Sequence, residues 1–211
     1  MLAKNQTGLR NLYKLISLSQ LEHFKRFPIM PKSLINENRE GLIIGSACEA
    51  GELFQAIVKG RTWGELKRLA QWYDYLEIQP ICNNQFMLRK GMVKSEEDLR
   101  DFNRTIVKLG EETGRPVCAT GDVHFLDPED EVYRHILLAS KGFEDADQPL
   151  PIYFKTTDEM LKEFSYLGAD MPGEEGIVDR RKIAEVEEEI EVVPPGQLFP
   201  PRLENSEQEL N

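Results

Sequence analysis

Three cysteines are all this chain has among 211 residues, and Cys48, Cys82 and Cys118 lie far apart. The odd number excludes a closed disulfide framework, and the spacing excludes a paired zinc ribbon, so a reducing, cytoplasmic setting is expected. Histidine is equally scarce, at three residues. No run of about eighteen consecutive apolar residues occurs, and the first positions carry no apolar core bounded by a small-residue cleavage site; neither a membrane span nor a secretory leader is expected. A glycine-lysine phosphate loop, a dinucleotide fingerprint and the glycine-serine-glycine elbow of serine hydrolases are all missing. Basic residues are outnumbered, 26 Lys and Arg against 37 Asp and Glu, for a net charge of -11. That balance argues against a principal duplex-binding surface, leaving a local basic cluster at Lys25, Arg26 and Lys32 as an exception.

What is present is ordinary globular material, 40% hydrophobic and 30% charged, long enough for one main domain with a substantial core. Apolar residues recur at helical spacing over residues 7–24, with Thr7 as the expected N-cap, and a Pro-containing linker over residues 28–31 ends that element and leads into a short polar segment. Residues 41–46 read as a short buried strand, residues 49–58 and 62–72 as helices, and residues 73–80 as an alternating strand with Leu76 and Ile78 on one face. Ser95 and Asp98 form a capping box for a helix running to about residue 112, stopped by Gly114. A strand over residues 116–119, a helix opened by Pro128 and a short helix over residues 158–166 follow. Strand and helix alternate, which predicts an α/β architecture with mainly parallel strands and outer helices. Three strands are few for a complete sheet or barrel, so an incomplete portion of a larger domain is expected. From Gly168 onward Gly, Pro and Glu accumulate; a solvated acidic helix near residues 185–191, a linker over residues 194–201 and an acidic tail are expected.

The candidate chemistry centres on Asp122 and His124, two residues apart after the apolar stretch ending at Ala119. From a strand end, a carboxylate and an imidazole at this spacing leave one face and can converge on an ion or act as an acid–base pair. By pattern alone they are equally a turn residue and a surface histidine. Cys48 follows the strand-to-helix turn Gly45-Ser46-Ala47 and reads either as a thiolate ligand or as a buried structural cysteine, the pattern favouring the latter. Glu77 is a weaker metal or base candidate, also readable as an ordinary polar position on a half-buried strand. His23 and His135 sit in helical contexts where a surface histidine is the better reading.

Four segments, residues 2–15, residues 41–52, Tyr73-Asp-Tyr-Leu-Glu-Ile-Gln-Pro80 and Ala119-Thr-Gly-Asp-Val-His-Phe-Leu-Asp-Pro128, resemble in order the polymerase and histidinol phosphatase (PHP) domain of PolC-type DNA polymerase III. The likeness covers most of residues 2–168, in the portion following that family's exonuclease insertion. It implies a partial, distorted PHP-type barrel with outer helices, followed by an acidic connector, with residues 1–152 as the C-terminal portion of the PHP domain and residues 153–211 leading toward the polymerase core.

The same resemblance makes Cys48, Asp122 and His124 ligands of a divalent-metal cluster, zinc or manganese, and leaves Glu77 without a clear assignment. The family's first His-x-His motif and the histidine expected just upstream of Leu2 are missing, so a complete cluster is not expected. The parent would carry out DNA-templated nucleotidyl transfer with magnesium, DNA and deoxynucleoside triphosphates, and its upstream PHP segment, exonuclease and palm would be this chain's partners. No catalytic residue is assigned in this chain, and no membrane partner. An autonomous metal-dependent phosphoesterase and a metal-free structural module are the rival expectations.

Overall fold

The computed structural model describes residues 1–142, 148–168 and 189–192. In chain order the elements are β1 (Leu2–Ala3), α1 (Gln6–Leu21), α2 (Lys32–Glu37), β2 (Leu42–Ile43), α3 (Glu52–Val58), α4 (Trp63–Trp72), β3 (Leu76–Ile78), α5 (Gln85–Arg89), α6 (Glu96–Thr113), β4 (Val117–Ala119), α7 (Glu131–Ser140) and α8 (Thr157–Glu163). Short 3-10 turns lie at Ile81–Asn84, Pro128–Asp130 and Ser165–Leu167. Helices dominate and the sheets are small and open, an α/β arrangement of the partial, barrel-like kind expected, with helices outside. The chain divides into two compact units, Ala3–Leu42 with Glu187–Asn211, and Met1–Leu2 with Ile43–Val186. The expected linker over residues 194–201 and the acidic tail lie outside the described residues, as does most of the acidic helix near residues 185–191.

In the first of these units, α1 begins at Gln6, and its cap is Asn5 rather than Thr7. The Asn5 Oδ1 accepts the Gly8 amide at 3.0 Å, satisfying a first-turn donor that Thr7, already inside the helix, does not reach. The helix stops at Leu21, short of Phe24, because residues 24–28 reverse direction through an antiparallel bridge between Phe24 and Pro28. The polar segment expected after the 28–31 linker holds α2, whose six residues are too short to give a periodic signal. Gly8 and Gly41 meet backbone to backbone: a Cβ on Gly8 would lie 1.8 Å from the Gly41 carbonyl oxygen. Beside them the Lys4 amide donates to that same oxygen at 2.7 Å.

In the larger unit, β3 and β4 run parallel with Leu76, Glu77 and Ile78 opposite Val117, Cys118 and Ala119. The Leu76 amide donates to the Pro116 carbonyl at 2.9 Å and the Thr120 amide to that of Ile78 at 3.0 Å, whereas the Tyr75 carbonyl accepts from Ser46 at 3.2 Å. Leu76 and Ile78 thus bond toward β4 while the preceding residues bond toward residues 44–46, which places β3 between β4 and that extended chain, a parallel neighbour through the Gly45–Tyr75 bridge. Asp74 locks this edge, its amide donating to the Ile44 carbonyl and its Oδ2 accepting the Ile44 amide, both at 2.8 Å.

The helices follow their local signals closely. Thr62 and Glu65 box the start of α4, and Ser95 and Asp98 box α6, which Gly114 ends in the left-handed conformation at φ 65°. Helix α6 buries Leu99, Ile106 and Leu109 over Leu76, Ile78 and Val117, and the Phe54 ring of α3 meets Phe102 edge-on at 5.4 Å. Helix α3 starts at Glu52, later than expected, because residues 49–51 form a turn in which the Gly51 amide donates to the Cys48 carbonyl at 2.9 Å. The strand expected over residues 73–80 is confined to Leu76–Ile78, and α8 stops at Glu163 before a 3-10 turn.

Gly45 lets β3 approach, since a Cβ there would lie 2.2 Å from the Tyr75 ring. Gly45→Ala is expected to cost about 1–3 kcal/mol through overpacking, lowering Tm by roughly 2–4 °C per kcal/mol. Differential scanning calorimetry checks this, and Tyr75→Ala added to Gly45→Ala should recover part of the loss; an unchanged Tm in the single variant would contradict the close approach.

Candidate functional site

Residues 44–46, β3 and β4 run parallel, and a candidate residue lies within or just beyond each. Residues 44–46 lead into Cys48, β3 holds Glu77, and β4 leads through Thr120 to Asp122 and His124. Ligand groups in parallel α/β folds gather outside the carboxyl ends of strands because there the backbone turns away and frees side chains.

The turns are held under local strain. Ala47, just before Cys48, and Asp122 are the described non-glycine residues with positive φ, at 62° and 50°. A left-handed alanine costs about 1–2 kcal/mol, whereas aspartate tolerates this region better. Such strain persists only where neighbouring bonds over-determine it. They do so here: the Ser46 Oγ accepts the Glu77 amide at 2.9 Å, the Asn83 side chain donates to the Gly121 carbonyl at 3.1 Å, and the His124 amide donates to the Ile152 carbonyl at 2.9 Å.

The donor atoms have distinct environments. The His124 Nδ1 lies 2.7 Å from the Asp122 carbonyl oxygen. A carbonyl only accepts, so Nδ1 donates to it, which in the neutral ring is the tautomer that offers Nε2 for metal ligation. The Asp122 Oδ1 stands 3.9 Å from the same Nδ1, and both side chains are about half exposed. Burial pushes the Cys48 thiol up; a hydrogen bond with the Ala50 backbone opposes this, while Glu49 and Asp122 add to the rise. Burial likewise raises the Glu77 carboxyl, opposed by the hydrogen bond in which the Thr120 Oγ1 donates to the Glu77 Oε1 at 2.8 Å and reinforced by the Asp122 charge.

The structure thus brings Cys48, Glu77, Asp122 and His124 to one end of the strands, with Asp122 acting electrostatically on both Cys48 and Glu77. Thiolate, imidazole and carboxylate are fitting donors for zinc, whereas for manganese the carboxylates are the fitting donors and a thiolate is not. Among the described residues, however, no three His, Cys, Asp or Glu side chains are arranged to hold an ion. The residues do not fit a closed metal centre by themselves. His135 faces Glu131 on its own helix at 3.6 Å, and His23 lies just beyond the end of α1. Of the supporting residues, Ser46 and Thr120 lie within segments that carry the family likeness without being singled out there, and Asn83 lies outside them. Only their small polar side chains next to strand ends mark them in the sequence.

Residues 1–80 match the PHP domain family. Over 209 residues, 99% of its length, the chain is 56% identical to the PolC-type DNA polymerase III of Clostridium perfringens, of which it covers 14%. It is 53% identical over 209 residues to that of Caldanaerobacter subterraneus subsp. tengcongensis and 40% identical over 213 residues to that of Bacillus subtilis, covering 15% of each.

A pH test follows from Glu77. Its folded pKa lies above the ordinary carboxylate value, so the native state binds more protons than the unfolded state between those two values. The contribution of Glu77 to stability is therefore fully present below the unfolded pKa and is lost as pH rises through the folded one. Glu77→Gln keeps an acceptor for Thr120 and should flatten the stability–pH curve in that window while raising stability at neutral pH, as read from urea unfolding across a pH series. A parallel displacement of the whole curve would refute the burial argument.

The chain spans 14–15% of the length of these relatives, and the match runs almost end to end along the chain itself, so it corresponds to a PHP-domain segment of the PolC-type DNA polymerase III family.

Proposed function

We propose that this chain serves as a PHP scaffold segment of a replicative polymerase, contributing Cys48, Asp122 and His124 to a divalent-metal site completed by ligands from elsewhere in the polymerase. Glu77 is the weaker fourth candidate. The observation that carries this reading is the convergence of three parallel strand ends on the Cys48, Glu77 and Asp122–His124 positions, held by left-handed turns at Ala47 and Asp122. The metal, zinc or manganese, would supply positive charge for orienting water or phosphate. Within the chain, Asp122 holds the His124 imidazole through its carbonyl, and Ser46 and Thr120 hold Glu77.

In this reading the polymerase carries out DNA-templated nucleotidyl transfer from deoxynucleoside triphosphates with magnesium in the cytoplasm, using a palm and an exonuclease that lie outside this segment. The isolated chain is inactive. Residues 1–152 supply the C-terminal portion of the PHP domain, and residues 153–211 the connector toward the polymerase core. The open sheet and the exposed apolar residues of α7, Val132, Tyr133, Ile136 and Leu137, support a scaffold that packs against further polypeptide. No helix among the described residues is long and apolar enough to cross a membrane.

Elemental mass spectrometry on a full-length polymerase carrying this segment tests the reading. Zinc or manganese should be present stoichiometrically, and Cys48→Ala or Asp122→Ala should each lower metal affinity at least about tenfold, in the range seen when ligand surroundings are disrupted. Full retention of metal in both variants would sink the ligand assignment and leave a metal-free structural module. Chelator-sensitive phosphate release by the isolated chain, lost in Asp122→Ala, would instead establish an autonomous phosphoesterase.

A further inference from the structure

The unit containing α1 ends that helix in a short aromatic and basic reversal. The Glu22 and His23 amides donate to the Leu18 carbonyl at 2.9 and 3.1 Å, and the chain then doubles back so that Phe24 pairs antiparallel with Pro28. The Lys25 amide donates to the Phe27 carbonyl at 3.3 Å across the tip, which leaves Lys25, Arg26 and Phe27 at the turn itself. Phe24 and Phe27 are 53% and 62% exposed, far more than phenylalanine residues in a packed core. Lys25 and Arg26 are exposed, and neither side chain has an ion pair or hydrogen bond among the described residues. Arg100 and Arg104, by contrast, are committed to Glu96, Glu97 and Asp101 on their own helix.

We propose that the Phe24–Phe27 tip binds single-stranded DNA, with bases stacking on the two exposed rings and Lys25 and Arg26 holding the adjoining phosphates. The choice of DNA rests on the polymerase reading above. Two cations in a chain of net charge -11 are too few to hold a duplex through its backbone, and a duplex keeps its base faces stacked away from protein rings. A single strand offers both a free π-face to each phenylalanine and a flexible backbone that brings phosphates to flanking cations. The bridge between Phe24 and Pro28 holds the reversal, limiting the conformational freedom lost when a strand docks.

Fluorescence anisotropy of a labelled oligothymidylate, titrated with the 211-residue chain at low and at physiological salt, tests this. Phe24→Leu with Phe27→Leu keeps apolar side chains but removes the stacking faces, and should weaken binding at least about tenfold. Lys25→Glu with Arg26→Glu should reduce the log–log salt slope by about 1.4, at roughly 0.7 per phosphate contact on a single strand. Circular dichroism and Tm matching the parent chain establish that each variant is folded. No binding by the parent chain, parent-like binding by folded leucine variants, or tighter capture by anionic phosphatidylserine vesicles than by the oligonucleotide would each overturn the proposal. These outcomes leave the polymerase reading standing, because metal retention in the full-length polymerase tests it separately.

Discussion

Parallel strand pairing cannot be closed by a hairpin, so the pairing of β3 with β4 depends on the long crossover that α6 supplies. The 18-residue helix is capped at both ends by its own sequence and buries Leu99, Ile106 and Leu109. Its weight rests on Leu76 and Ile78, both almost completely inaccessible. Because the crossover forces both strands to point the same way, their C-terminal ends share one side. The placing of Glu77, Asp122 and His124 follows from that constraint, and the parallel Gly45–Tyr75 bridge adds Cys48.

The site's polar organisation is the counterpart of this packing. Backbone groups at strand ends lose their ladder partners, and small polar side chains take them over: Ser46 accepts from Glu77, and Asn83 donates to Gly121. Glu77 is left beside Asp122 in a half-buried setting, and both burial and the neighbouring charge favour its neutral form. Negative charge gathered at a strand end with opposed ionisation is the situation a cation relieves. Cys48 is tuned in the same direction by burial and by the same Asp122 carboxylate.

Much of the surrounding surface fits a piece of something larger. Helix α7 has no buried residue, and Val123 and Leu126, on either side of His124, are exposed as well. A surface of this kind on a segment covering 14–15% of its relatives' length is ordinary inside a longer polymerase and costly in isolation.

The amino-acid sequence alone determined the elements whose signals are local. The capping box at Ser95 and Asp98, the stop at Gly114 and the buried alternation of Leu76 and Ile78 all rest on interactions within a few residues. It failed where a competing contact lay elsewhere in the chain or the element was too short: Asn5 displaced Thr7 as the cap, Phe24 pairing with Pro28 ended α1 early, and α2 and α5 lack a full period. The candidate residues were legible as Cys48, Glu77, Asp122 and His124, through motif and spacing. Their gathering and the supporting roles of Ser46, Asn83 and Thr120 were decided only by tertiary structure, because they depend on hydrogen bonds between segments far apart in the chain, as the Ser46–Glu77 separation of 31, the Asn83–Gly121 separation of 38 and the Thr120–Glu77 separation of 43 illustrate.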